Sequence, residues 1–334
     1  MSDLLDRPIL DPPSFTHLPP PPRPTPPPPP SWAVGPPPPV VPPAQTASRW
    51  NRRRLAAVAL CVFVVGAFLG GYEPAGALLV GFAVLSPLER RFRRHPWTIR
   101  RPQMRTDVLH LLFSGTLLTG ATIIGIVGAW LATWPLHRGT LDGPLSTLSP
   151  VWAGVVGFVL FEMFGYGGHR LSHEVPFLWR FHAVHHSSQR LDWISAGRLH
   201  PVEGLFAGLM VGPPLLLLGL QPAELGAFTV IVNLWGVLLH ANVRWRFAFL
   251  DGIIGTPDYH HWHHSNHPEA RNKNYAALLP VLDRLFGTYF QPKDRRPQVY
   301  GIDEPMPATW WQQLRWPLRR QASARRWLAT HPVA

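Results

Sequence analysis

The sequence predicts an all-α fold: an integral-membrane helical bundle with a cytosolic histidine-rich helical cap, preceded by a disordered proline-rich tail. Three observations carry this prediction. Long apolar runs recur between residues 55 and 240, arginine clusters flank them, and 12 of the 17 histidines fall between residues 169 and 267.

Residues 1–47 hold 19 of the 40 prolines. Runs such as "PPRPTPPPPP" cannot donate backbone hydrogen bonds and favour polyproline II, so 1–48 reads as a disordered or stiffly extended spacer. No basic start followed by an apolar stretch marks a signal peptide there. The single cysteine, Cys61, rules out a disulfide framework and a thiolate metal site. The net charge of +12 invites a nucleic-acid partner. The arginines flank apolar runs instead, as basic loops on the cytoplasmic side of a membrane do, so no nucleic acid is expected.

"RWNRRR" (49–54) precedes the apolar run 55–71, which is nearly long enough to span a bilayer. Pro74 ends it, and 75–88 makes a shorter second arm, so 49–104 reads as a membrane hairpin followed by the basic loop that opens with "ERRFRRH" (89–95). An apolar stretch at 107–133, a nearly neutral loop at 134–150 and the run 151–168 come next. A second apolar hairpin covers 204–240, interrupted by "GPP" (212–214) and turning at "GLQPAE" (219–224). Counting crossings from the arginine clusters places the N-terminus and every histidine cluster on the cytoplasmic face. Residues 293–334 form a basic, Trp/Arg-rich extension. Within it, 310–328 suits an interfacial segment on anionic headgroups or a plain basic tail.

The histidines repeat a helical spacing. "HRLSH" places His169 and His173 one turn apart, on one face. "HAVHH" places His182, His185 and His186 at i, i+3 and i+4, and "HHWHH" repeats that triplet with His260, His263 and His264. His240 stands alone in "LLHAN". His261 falls at the edge of its stripe, and His267 follows "SN", a helix-end signal. A lone histidine is an ordinary core or surface residue. Three one-face clusters beside apolar segments point to a metal site, because ionisable groups at membrane depth are costly.

Several metal chemistries are excluded. "HRLSH" has Arg170 where the zinc-protease motif needs its glutamate. Glu162, Glu174 and Asp258 are too few and too badly spaced for a carboxylate-rich di-iron bundle. Haem needs only one or two axial histidines. Two ions ligated almost wholly by imidazole remain, with iron as the oxygen-activating choice.

The spacing H-x-x-x-H, H-x-x-H-H, an isolated His and a final H-x-x-H-H resembles the fatty acid hydroxylase / sterol desaturase superfamily of integral-membrane di-iron enzymes. "TPDYHHWHHS" (256–265) and "NKNYAALLPVLDRLFGTY" (272–289) are similar to the last box of bacterial members and the segment after it. The likeness covers about 105–292. It implies a di-iron membrane domain there, with His169, His173, His182, His185, His186, His240, His260, His263 and His264 as metal ligands. Some relatives carry a tenth histidine four residues after the isolated one; here that position is Arg244. His200 or His261 could substitute for it, and Asp192, Glu203 and Asn242 could orient the rings.

The resemblance implies two iron ions, dioxygen as co-substrate and hydroxylation of a lipid such as a fatty acyl chain or a sterol. Desaturation of the same lipid class is the alternative. No histidines remain for a fused cytochrome, so electrons come from a separate reductase, ferredoxin or cytochrome. The bacterial likeness implies the inner membrane. A rival of another class is a histidine-rich metal transporter, against which the one-sided clustering of polar residues and the arginine-rich loops both argue.

Overall fold

The computed structural model describes residues 73–97, 100–137 and 142–318. The tail 1–48, the first hairpin arm 55–71 and residues 319–334 lie outside these. The described residues are helical, with no strand and two isolated β-bridges, Arg93–Val243 and Ser265–Tyr300.

Helix α1 spans Glu73–Phe92, longer than the arm read from the apolar pattern. Pro74 lies in its first turn, where a missing N–H leaves no bond unmade. Helix α2 (Met104–Leu109) passes through one π turn (His110–Ser114) into α3 (Gly115–His137). The π turn buries His110 and Ser114. Then follow α4 (Pro150–Glu174), α5 (Pro176–His186), α6 (Pro201–Leu217), α7 (Pro222–His240) and α8 (Pro257–His263). All five open on proline, so this residue punctuates the bundle and fixes where each chain reversal ends. Two short helices, α9 (Val281–Leu285) and α10 (Trp310–Arg315), complete the described chain.

The "GPP" at 212–214 does not interrupt α6, which continues to Leu217. Pro213 and Pro214 each forgo one N–H bond to the preceding turn, and the helix ends within four residues of them. α6 packs along α3 and α4 through small residues. A Cβ on Gly212 would stand 2.5 Å from Ile126 Cγ1, so the two backbones approach as closely as apolar membrane helices do. Phe161, Leu215, Leu216, Leu220 and Leu225 form the buried core of this part.

The helices alternate in direction, so five ends meet at one pole. Glu89 of α1 accepts the Trp193 and Asn242 amides (2.8 Å each), and the guanidinium of Arg198 donates to Asp107 of α2. The C-termini of α4 and α7 and the N-terminus of α6 arrive there too. At the other pole, Leu145 N donates to Leu218 O at 2.8 Å, joining the loop before α4 to the end of α6. Among the described helices, this alternation of ends is the one that counting crossings anticipates.

Between the poles the surface is greasy. Ile123, Ile124, Leu131, Val151, Trp152, Val230 and Leu234 are exposed. α4 and α7 are long and apolar enough to cross a membrane, and only 28% and 11% of their apolar stretches are buried. A soluble protein's core helix would be mostly covered, whereas lipid solvates such a surface. The protein is a membrane protein.

The C-terminal extension is less separate than its composition suggests. Thr106 Oγ1 donates to Ala308 O (2.6 Å), Gln313 is buried beside His110, and Trp316 packs with Trp179 and Ala183. Up to residue 318 it is part of the polar pole.

Candidate metal centre

The nine sequence-predicted histidines converge at the polar pole as two groups. His169, His173, His182, His186 and His263 form one, and His185, His240, His260 and His264 form the other. Within each group the ligand-capable atoms lie within 4.8 Å of one another. All nine rings except the half-buried His169 are buried.

Helical geometry explains the partition. On α5, His182 and His186 are a full turn apart and share the first group; His185, one residue short of a turn, points into the second. The second H-x-x-H-H, which α8 carries through its C-cap, reverses the assignment: His260 and His264 share the second group and His263 enters the first. Each triplet therefore bridges both groups. The remaining members come from α4, which supplies His169 and His173, and from α7, which supplies His240. α7 stops at His240, because Ala241 turns to ψ 137. Arg244 is thus off the helix and exposed, its N–H donating to Phe92 O at 2.7 Å. Among the described residues neither group has a tenth member.

The proton positions follow from the partners. A carbonyl or carboxylate only accepts, so a ring nitrogen beside one must carry the hydrogen. Nδ1 faces Tyr275 O in His169 (2.6 Å), Glu203 Oε1 in His182 (2.7 Å), Arg198 O in His185 (3.1 Å), Gly236 O in His240 (2.6 Å) and Lys273 O in His263 (2.8 Å). In the neutral form of these five rings Nε2 carries a lone pair.

These lone pairs face each other. Nε2 of His169 and His182 are 3.2 Å apart, and Nε2 of His185 and His240 also 3.2 Å. No hydrogen is available to join either pair. Nε2 of His263 is buried without a partner. Two imidazoles bound at right angles to one ion, at roughly 2.1 Å each, sit roughly 3.0 Å apart. The donor set therefore fits a shared cation in each group. Burial holds His185, His186, His260 and His264 well below their ordinary range, helped by neighbouring imidazoles, and holds His263 at about 3. Rings kept neutral are in the ligating form.

A supporting layer fixes the rings. Asp283 accepts the amides of Tyr275 (2.7 Å) and Ala276 (2.9 Å), the Thr288 hydroxyl (2.7 Å) and the Tyr259 hydroxyl. Asn274, at φ 63, donates to Tyr259 O (3.0 Å) and Phe290 O (2.6 Å). Together they clamp the turn whose carbonyls hold His169 and His263. This explains why the segment 272–289 accompanies the last box. Of the three polar candidates, Glu203 touches a ring. Asp192 instead pairs with Arg101 (2.7 Å), and Asn242 exchanges hydrogen bonds with the His95 backbone.

His200 and His261 lie outside both groups. His200 caps α6: its Nδ1 accepts from Val202 N (3.1 Å), and Nε2 donates to Leu314 O (3.0 Å). His261 donates from Nε2 to Ala241 O (3.1 Å), so its Nδ1 accepts the Tyr300 hydroxyl (2.9 Å), whose oxygen lies 2.9 Å from His95 Nε2.

A cavity of about 220 Å³ reaches the first group at His173, His186 and His263. Its outer wall comes from residues 265–272 and 301–305. Sequence reading missed this wall. Its one local signal was the "NKN" turn, where Asn272 and Asn274 both take positive φ.

Comparison with known proteins places this geometry. A family model described as fatty acid hydroxylase matches residues 154–288. An ornithine lipid hydroxylase of Rhizobium tropici, OlsE, is 35% identical over 264 residues, covering 75% of each chain. An alkylglycerol monooxygenase of Danio rerio is 32% identical over 158 residues, 46% of this chain and 34% of its own. Methylsterol monooxygenase 2-2 of Arabidopsis thaliana is 28% identical over 166 residues, 47% of this chain and 61% of its own. No solved structure gives a significant match.

Proposed function

The chain belongs to the fatty acid hydroxylase family, and on that premise we propose that it is a membrane monooxygenase that hydroxylates a lipid with dioxygen and externally supplied electrons. The observation that carries this reading is the pair of all-imidazole groups at the polar end of lipid-exposed helices. His169, His173, His182, His186 and His263 would hold one iron ion, and His185, His240, His260 and His264 the other. Bound there, the pair would supply the activation of dioxygen that breaks an unactivated C–H bond.

The chain's own residues prepare that chemistry. Tyr275 O, Glu203, Arg198 O, Gly236 O and Lys273 O hold a proton on Nδ1 and aim Nε2 inward. Burial keeps His185, His186, His260, His263 and His264 neutral and limits water. The groups lie where helices leave the membrane, so a lipid in the leaflet and a soluble donor can both arrive. Residues 1–48, the histidine pole and the arginine loops face the cytoplasm in this reading, across a bacterial inner membrane. A separate ferredoxin, cytochrome or reductase supplies the electrons.

Incubating membranes that carry the protein with ¹⁸O-labelled dioxygen and reductant should place one labelled oxygen atom in a lipid product. A new double bond without label would make it a desaturase. Metal crossing the membrane with no lipid changed would overturn the enzyme reading.

A further inference from the structure

A second cavity, of about 380 Å³, lies at the polar pole, and among the described residues none lines both it and the first. Arg90, from the last turn of α1, and Arg93 and Arg100, from the segment after it, line this cavity and are all exposed. The half-buried Trp97 lines it too. Its two carboxylates are engaged by the protein. Glu89 Oε1 accepts the Trp193 and Asn242 amides, and both oxygens of Asp192 accept from the Arg101 guanidinium (2.7 Å each). The exposed charge is therefore positive and complements an acidic partner.

What lies behind Trp97 narrows the choice of partner. Its ring stacks on His95, with centroids 4.1 Å apart and planes 18° from parallel. Two connections run on from His95. In one, His95 N donates to Asn242 Oδ1 (3.0 Å) and Asn242 Nδ2 donates to His95 O (3.2 Å); Asn242 stands two residues after His240. In the other, the Tyr300 hydroxyl oxygen lies 2.9 Å from both His95 Nε2 and His261 Nδ1, and His261 Nε2 donates to the carbonyl of Ala241, the residue after His240. Both connections end at the second histidine group. His95, Asn242, His261 and Tyr300 are all buried, so protein atoms fill the way. Electrons cross stacked rings, covalent bonds and hydrogen bonds more readily than open gaps. An anionic lipid headgroup would engage the arginines alone and has no use for what lies behind them.

We infer that this arginine-lined cavity docks an acidic one-electron carrier, and that Trp97 and His95 lead its electrons to the second histidine group. The inference rests on the monooxygenase reading above, which needs external electrons. Encounters between redox partners are small and steered by charge, as such a patch provides. Each encounter oxidises the carrier by one electron and reduces the metal centre by one; no bond forms or breaks. Two encounters match the two electrons that one hydroxylation takes from outside, as one atom of dioxygen enters a C–H bond and the other leaves as water with two protons from solvent.

The test uses the full-length, metal-loaded protein in phosphatidylcholine nanodiscs, with reduced plant-type ferredoxin, an acidic carrier, as the docking probe. Reduced methyl viologen, a small cation, shows whether the centre accepts electrons at all. Ferredoxin should reduce the protein at a rate that falls steeply with added salt. Arg90→Glu combined with Arg93→Glu, both at exposed side chains, should lower that rate roughly tenfold or more with metal content unchanged. Trp97→Leu should keep the parent's affinity for ferredoxin and slow the electron transfer. Should it fail to fold, Trp97→Phe, a smaller ring in the same place, should slow transfer to a lesser degree. Salt-insensitive reduction, or an unchanged rate in the double variant, would overturn the docking surface. If that variant instead loses phosphatidylglycerol that the parent retains on purification, the patch is a lipid site. An unchanged rate in the Trp97 variant that folds would overturn the route. If methyl viologen reduces nothing, the oxygenase reading fails, and ferredoxin affinity of the parent against the double variant decides the docking surface alone.

Discussion

The two histidine groups are built from the same parts and differ in size and in support. Each takes two rings from one H-x-x-H-H triplet and one from the other. The first adds His169 and His173, because α4 continues a full turn past its apolar run. The second adds only His240, because α7 ends there. Glu203, a side chain, steadies the first group, whereas His185 and His240 lean on backbone carbonyls. The first opens to the cavity lined by residues 265–272 and 301–305. A single helix end thus decides how many protein ligands a site can offer. The second group is left with no spare ring, and the first with one.

The sharpest break in this comparison is His240→Ala against His173→Ala. Without His240 the second group keeps three rings, and metal content should fall from two ions to about one per chain, with turnover at background. Without His173 the first still has four, as many as its neighbour natively holds. It should keep its ion at roughly 10–100-fold weaker affinity. Elemental analysis and metal titration measure both. Equal losses would mean the fifth ring matters as much as the fourth.

Asp107→Asn strikes the second group from a distance. Asp107 is fully buried between Arg101 and Arg198, and the Arg198 carbonyl holds His185. Breaking such a buried network costs about 3–5 kcal/mol. Thermal unfolding should show the loss, and residual metal should leave the second site first. A variant as stable as the parent would show the network is dispensable.

Glu203→Ala should weaken metal binding at the first group by roughly 10–100-fold and leave the second unchanged. The matching change at the second cannot be made by side-chain substitution, since its supports are carbonyls.

The smallest effect concerns His95, which reaches α8 through Tyr300 and His261. Burial, with Arg94 and Arg296 nearby, lowers His95 to about 4. The unfolded chain binds this proton more readily, so stability is level above about pH 6.5 and falls as pH drops towards 4, by up to about 1.4 kcal/mol per unit. His95→Gln should flatten that slope in denaturant titrations at pH 6.5 and 4.5. An unchanged slope would show that His95 is already charged in the folded state.

Much of this was legible in sequence, for reasons particular residues make plain. Spacings such as 182, 185 and 186 encode direction around a helix, so the nine rings could be picked out. Arginine clusters and apolar runs gave the alternation of helix ends. Other features left no local trace. The carbonyls of Arg198, Gly236 and Lys273 belong to the backbone, and any residue type could carry them. Tyr300, Gln313 and Trp316 are buried by contacts far away in the chain, so the extension read as an interfacial segment or a basic tail. The "GPP" read as a break because proline's cost depends on its place in the helix, which composition does not reveal. The cavity wall joins residues 265–272 to 301–305, a pairing only the fold creates.

In the proposed centre nine imidazoles make two metal sites of unequal size. Iron content together with X-ray absorption at the iron edge, on purified active protein, tests it most directly. Two ions per chain in nitrogen-dominated shells are expected, with imidazole scattering falling at one ion only in His240→Ala. One ion per chain in the parent, or shells dominated by carboxylate oxygen, would contradict it.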